Sequence, residues 1–333
     1  MRKIKYFYIG LLYWFYNSLK SSAAAKDFLY SLSNREEFTK LSVHEEMLAD
    51  QQRNTAYHKA IFKYVKEGDT VIDIGTGTGI LSFFASQNKA KKIYAIDHSN
   101  LLKSAETVAK HNDFKNIEFV NTHSKNFKID SKVDIILHEQ IGDFLFDENM
   151  VTNVLDIRDR LLKKDGMILP AYFEFFIEPV KIKDNRTVPF IWEQKIYGVD
   201  FSCYKDLYTA SGNYQKKCSQ DASLVDYFLC KPEVLYKCDL HTMKENDLPT
   251  ELAYKRTITN SGRLDGFIVY FRGAFDNHIS FTSGPTENRA LNWAFWILRT
   301  PRDMFEEGDT ISFKLTMNNW IDKTSWKWYY SKE

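Results

Sequence analysis

Few residues in this 333-residue chain are of the kinds that impose an unusual architecture. Only four are cysteines, Cys203, Cys218, Cys230 and Cys238, and their spacing gives neither C-x-x-C metal pairs nor a dense disulfide framework. A metal module and a disulfide scaffold are therefore excluded, and the thiols read as reduced, as in a cytoplasmic protein. With 7 prolines and 14 glycines the chain is neither collagen-like nor of low complexity. Charge of one sign is missing as well: 45 Lys and Arg face 44 Asp and Glu, for a net charge of +1, which argues against an electrostatic nucleic-acid binder. No apolar run is long enough to cross a membrane. The start, MRKIKYFYIGLLYWFYNSLKSSAAAK, imitates a signal peptide. Its apolar run of roughly 11 residues is too short to span a bilayer, and it is mostly Tyr, Phe and Trp rather than Leu. It reads as a helical segment whose aromatics pack on the body or on a partner. What is present, 44% hydrophobic, 15% aromatic and 27% charged residues, describes a globular chain, long enough for about two domains.

The pattern changes near residue 170. Before it, short apolar runs alternate with helical periodicity: VIDIG (71–75), a helix through ILSFFASQ, KIYAID (92–97), a helix after Asn100, IEFV (117–120) and VDIILH (133–138). This is the βαβ rhythm of a parallel sheet. A further helix from about Val151 carries Arg158, Arg160, Lys163 and Lys164 toward a stop at Gly166, as a cation-favouring, glycine-capped C-terminus should. Beyond Pro170, FEFFIEPV, GFIVYFRGAF, WAFWILR and TISFKLTM are separated by turn-rich segments, the pattern of an antiparallel barrel or sandwich. The expected division is an N-terminal helical segment over 1–41, an α/β domain over 42–170 and a β-barrel domain over 171–333.

The first chemical motif is VIDIGTGTG, Val71 to Gly79, at a strand-to-helix turn. Gly75, Gly77 and Gly79 let the backbone pass close under a ligand. A nicotinamide site wants G-x-G-x-x-G, whereas the spacing here is G-x-G-x-G, with Asp73 two residues before the first glycine. Asp97 closes the second strand, where a carboxylate can accept hydrogen bonds from both ribose hydroxyls. The set resembles the S-adenosyl-L-methionine site of class I methyltransferases.

Two further stretches, SVHEEMLADQQRNTAY (42–57) and HEQIGDFLFDENM (138–150), resemble the protein arginine methyltransferases. That family's pattern includes an H-E-E-M-L helix followed by an arginine, and a loop holding two glutamates. Glu139 and Glu148 have the family's separation, with eight residues between them. WEQKIYGVDFSCYKD resembles the segment leading into the family's dimerisation arm, LDGFIVYF a barrel strand, and LNWAFW stands where the family has its T-H-W loop. The resemblance covers roughly residues 42–320. It implies a Rossmann-like cofactor domain followed by a β-barrel, S-adenosyl-L-methionine as methyl donor, a peptide or protein substrate, and a homodimer formed through an arm near residues 203–227.

Residue by residue, it implies that His44 and Arg53 hold the methionine moiety, with Asp73, the three glycines, Asp97 and Ser124 completing the cofactor site. Glu139 and Glu148 become the catalytic pair. A guanidinium is always protonated and its lone pairs are delocalised, so it is a poor nucleophile. Two carboxylates can grip it, concentrate charge on the gripped nitrogens and aim a terminal nitrogen at the methyl group. Met47 and Met150 match residues that shape the room around that nitrogen, and Trp293 would wall the pocket. The acceptor side departs from the family: Asn34, Arg35 and Phe38 replace a tyrosine-rich helix, and Gln140 and Asp143 stand where aromatics are usual. Asn292 replaces the T-H-W histidine, which leaves a neutral hydrogen bond as the available link to Asp50. Three readings stay open here: methylation of an arginine guanidino group in a peptide, protein or metabolite; methylation of a neutral amide, such as asparagine, in a peptide natural-product precursor; and a non-catalytic homologue. The cofactor placement has a direct check. Asp97→Ala should weaken S-adenosyl-L-methionine binding by about 2 kcal/mol, the loss expected for charged hydrogen bonds; unchanged affinity by calorimetry would refute it.

Overall fold

The computed structural model describes residues 41–146, 148–205, 216–286, 289–291, 293–321 and 323–333. Helix α1 (Leu41–Ala49) breaks at Asp50, whose carboxylate accepts the Arg53 N–H at 3.2 Å and starts α2 (Gln51–Tyr64). In α2 the buried residues Arg53, Ala56, Tyr57, Ala60 and Ile61 form one stripe at helical spacing, which packs the helix onto the sheet. The chain then lays down β1 (Thr70–Ile74), α3 (Ile80–Gln87), β2 (Lys92–Asp97), α4 (Leu102–His111), β3 (Ile117–Asn121), β4 (Val133–His138), α5 (Met150–Leu161) and β5 (Leu162–Leu169).

The five strands pair in parallel in the order β3-β2-β1-β4-β5. Their continuous Val and Ile runs follow from cover on both faces: Val71, Ile72, Ile93, Ile136 and Leu137 are fully buried. Strand order reverses between β1 and β4, so a crevice opens at the carboxyl ends of those two neighbours. Their register puts Ile74 opposite His138, so the residues that follow, Gly75 and Glu139, leave the sheet level with each other.

The expected helix running to a glycine stop at Gly166 is corrected. Helix α5 ends at Leu161, and Gly166 lies inside β5. A Cβ at Gly166 would sit 2.9 Å from the Asp134 carbonyl and 2.6 Å from Leu162 Cδ1, so the glycine serves close approach of β5 to β4, where their register slips. Arg158 and Arg160 do lie in the last turn of α5, and their side chains also make cross-links. Arg158 donates to the Leu240 and Met243 carbonyls, Arg160 to Asp156 and to the Phe127 and Ser124 carbonyls, and Lys163 to Asp134.

The second region is antiparallel and built around β6 (Tyr172–Ile182). Among the described residues a seven-stranded sheet runs Val225–Phe228, β6, Gly266–Ala274, Phe295–Arg299 and Lys216–Ser219, with Tyr236–Asp239 and Ser280–Thr282 on its flanks. A three-stranded sheet of Glu251–Thr257, Thr310–Thr316 and Lys327–Lys332 closes over it as a β-barrel. The four apolar stretches singled out in the sequence supply its strands. One apolar core is continuous through both regions. The aromatic segment over 1–33, Asn34, Arg35 and Phe38, and residues 206–215 of the expected arm lie outside the described residues.

Candidate active site

Three glycines with positive φ turn the chain from β1 into α3: Gly75 at 70°, Gly77 at 52° and Gly79 at 91°. The turn is tied down by two carboxylates. Asp73, 1% exposed, accepts from Thr76 Oγ1 at 2.6 Å and from Ser82 Oγ and N at 2.7 and 3.1 Å, all through Oδ2. Burial pushes its carboxyl up to about 6 against those hydrogen bonds. Asp97, half-buried at the end of β2, accepts the Gly77 N–H at 2.9 Å through one oxygen and the Ser99 N–H at 2.7 Å through the other. His44 of α1, 6% exposed, packs under the turn, with Cε1 only 3.0 Å from where a Cβ at Gly77 would be. On the other side Gln140 lies over Gly75, its Oε1 receiving the Asn153 amide at 3.3 Å.

Across the crevice, Glu139 steps off β4. Its Oε1 is 3.3 Å from Arg53 Nη1, an ion pair whose alignment falls short of a hydrogen bond; the side chains are 13% and 4% exposed. Burial raises the Glu139 carboxyl above its ordinary range; Arg53 opposes that shift, and Asp50 and Asp73 add to it. Arg53 also donates through Nη2 to the Met47 carbonyl and lies 5.8 Å from the Trp293 ring centroid. Trp293, 2% exposed, stacks on Phe281 at 5.1 Å and donates Nε1–H to the Ile141 carbonyl at 2.5 Å. A glycine-lined turn, a buried guanidinium and a carboxylate therefore share the switch point of the parallel sheet.

Comparison with known proteins agrees with this geometry. Residues 56–169 match the family model of the ribosomal protein L11 methyltransferase (PrmA), and residues 174–327 match that of the arginine methyltransferase oligomerization subdomain. Protein arginine N-methyltransferase 6 of Xenopus tropicalis is 31% identical over 281 residues, covering 82% of each chain. Its Danio rerio namesake is 30% identical over 284 residues, 82% of this chain and 76% of that one. The chain belongs to the protein arginine methyltransferase family, within the class I S-adenosylmethionine-dependent methyltransferases. It spans 58% of the length of the probable protein arginine N-methyltransferase 6 of Arabidopsis thaliana, at 31% identity. The fold is shared with a Trypanosoma brucei PRMT1 enzyme–prozyme heterotetrameric complex with AdoHcy, at TM-score 0.75 and 23% identity over 89% of this chain and 99% of that one. It is shared too with protein arginine methyltransferase 10 of Arabidopsis thaliana, at TM-score 0.74 and 22% identity over 90% and 99%.

Within this family member, the loop between the two glutamates folds back on itself through a Gly142–Leu145 bridge. Its apolar FLF run anchors it. Phe144 packs 4.6 Å from Trp326 and 4.7 Å from Trp296, and Phe146 packs 4.8 Å from Trp320. Glu148 is half-buried one residue before Asn149, whose φ of 57° turns the chain into α5. Asp143 is engaged with the barrel: it accepts the Ala294 N–H at 2.9 Å and lies 3.3 Å from Trp296 Nε1. Met150 is fully buried in the core, Met47 is half-buried on α1, and Asp50 is the α2 cap. Ser124 is buried at the start of a short turn after β3. Asn292 lies outside the described residues.

Sequence reasoning missed three contributors. Tyr57, 1% exposed, donates to the His138 carbonyl at 2.9 Å and so holds the end of β4; its place in the buried stripe of α2 was the available signal. Arg289, 3% exposed, donates to the carbonyls of Trp293 and Gln220, and no local pattern marks it. His138 is fully buried beside Glu139, with Nε2 2.7 Å from the Pro170 carbonyl, and burial drives its pKa down to about 4. Because the unfolded imidazole titrates near 6.5, the unfolded chain binds the extra proton between pH 6.5 and 4. Stability from this group is present above pH 6.5 and lost as pH falls through that window, by up to about 3 kcal/mol. Asp73 runs the opposite way below pH 6, so the test is a difference: between pH 7 and 4.5, urea unfolding of His138→Gln should lose clearly less stability than wild type. Equal losses would refute it.

Proposed function

We propose that this enzyme transfers a methyl group from S-adenosyl-L-methionine to an arginine guanidino nitrogen of a peptide or protein, and that it works as a homodimer. The observation that carries the reading is the placement of Glu139: a largely buried carboxylate, level with the glycine turn and already facing a guanidinium, that of Arg53.

The residues present fit the cofactor. Arg53 Nη1 is buried without a hydrogen-bond partner, a donor suited to a methionyl carboxylate. Each Asp97 oxygen accepts one backbone N–H and keeps a lone pair for a ribose hydroxyl. When bound, S-adenosyl-L-methionine supplies a methyl group on a positively charged sulfur. The protein's part is to orient and neutralise. Glu139 and Glu148 hold the acceptor's positive charge at opposite ends of a loop made rigid by Phe144 and Phe146, and Trp293 excludes water from one side. Ionised carboxylates favour the arginine cation over a neutral amide. Homodimerisation is supported by the match of residues 174–327 to the oligomerization subdomain.

Single-turnover methyl transfer by Glu139→Gln and Glu148→Gln tests this. Both variants should lose at least about a hundredfold in rate, to similar degrees, with cofactor affinity little changed at Glu148. The wild-type rate should rise with pH until Glu139 ionises and then level off. Loss at only one position, or undiminished transfer in both, would overturn the two-carboxylate reading.

A further inference from the structure

A second concave site lies in the barrel region and shares no residue with the candidate active site. It is a cavity of about 210 Å³ walled by the segment Arg186–Phe190, the strand Lys216–Ser219 and the end of the strand Phe295–Arg299. Strand pairing sets its chemistry. Lys217 lies opposite Ile297, so the two side chains share a face, and Arg299, two residues on, falls on that face as well. This face carries the small cluster of Val180, Ile182, Phe295 and Ile297, whereas Leu298 on the other face belongs to the main core.

The lining holds four cations, Arg186, Lys217, Arg299 and Arg302, and two acids, Glu193 and Asp265. The acids are committed. Glu193 is 3.2 Å from both Arg302 Nε and Nη2, and Asp265 takes Arg263 at 2.7 Å and the Ile182 N–H at 2.8 Å. Arg186 is paired with Asp221 at 2.6 Å. Arg299, 8% exposed, is fixed by its bond to the Val188 carbonyl at 2.9 Å and by the Phe190 ring 3.9 Å away. The half-buried Lys217 amine meets no acid among the described residues. Burial holds its pKa below the ordinary lysine value, and the neighbouring Arg299 adds to the shift.

We propose that this cavity binds a phosphate group between Lys217 and Arg299. Two cations on neighbouring strands over an apolar floor of Ile182, Leu224 and Ile297 suit a compact oxyanion of charge near −2, which would bond both and relieve their repulsion. The volume is below that of sites for drug-sized ligands, which run to about 300 Å³ and more, so the cavity takes a headgroup rather than a whole cofactor. The phosphate is either free in solution or carried on a side chain of a peptide.

Calorimetric titration of the full-length protein with inorganic phosphate, and separately with O-phosphoserine, at fixed ionic strength set with sodium chloride, tests the assignment. Saturable binding of inorganic phosphate is expected, weakened about tenfold or more in Lys217→Gln and largely restored in Lys217→Arg. Tighter binding of O-phosphoserine would identify a phosphorylated side chain as the source; equal or weaker binding would identify free phosphate. S-adenosyl-L-methionine affinity should be the same in all three proteins, which separates this site from the active site. Absence of saturable binding, or binding unchanged by Lys217→Gln, would overturn the proposal.

Discussion

The pairing of β1 with β4 is the constraint from which the rest of the site follows. Once Ile74 is held opposite His138 inside a sheet buried on both faces, the glycine turn and Glu139 must emerge side by side. A one-residue slip would send every side chain of β4 to the opposite face and remove the glutamate from the crevice. The protein reinforces this pairing from outside the sheet: Tyr57 of α2 bonds the last carbonyl of β4, and His138 is fastened to the Pro170 carbonyl where the chain enters the barrel. The register, not loop chemistry, thus brings the glycine turn and Glu139 to one crevice.

Holding charges at such a place is costly. Asp73, Arg53, Glu139 and Arg289 are all largely buried, and a buried ion without partners is worth several kcal/mol of instability. The structure offsets this with hydrogen bonds and opposite charges. Asp73 spends one oxygen on three donors around the turn, and Arg53 faces Glu139 while its side chain reaches a helix carbonyl. Some polar atoms of these groups stay unsatisfied: Arg53 Nη1, Asp73 Oδ1 and Arg289 Nε are buried without hydrogen-bond partners. The aromatic anchoring of Phe144 and Phe146 against Trp296, Trp326 and Trp320 keeps the glutamate loop from relaxing away from that cost.

Much of this architecture was readable beforehand because it depends on local pattern. The strands of the parallel sheet and the glycine turn lie where alternation, burial and left-handed φ demand them. The helix end at Gly166 was misread because a glycine that caps a helix and one that admits a neighbouring strand look the same in sequence; only the carbonyl of Asp134 distinguishes them. Asp143, which the sequence marks only as a departure from an aromatic position, fastens the loop to Ala294 and Trp296, and Arg289 left no trace in the pattern at all. Both act through contacts more than 60 residues away in sequence, to Ala294 and Gln220, which no periodicity encodes.

The central claim is that the acceptor site selects a guanidinium by its charge. Two peptide pools with random flanks from which arginine is left out, and with arginine or citrulline at the central position, isolate that charge, since citrulline keeps nearly the same shape and is neutral. Incubated with the enzyme and isotopically labelled S-adenosyl-L-methionine, the arginine pool should gain label and the citrulline pool should not. Equal labelling of the two pools would contradict the account.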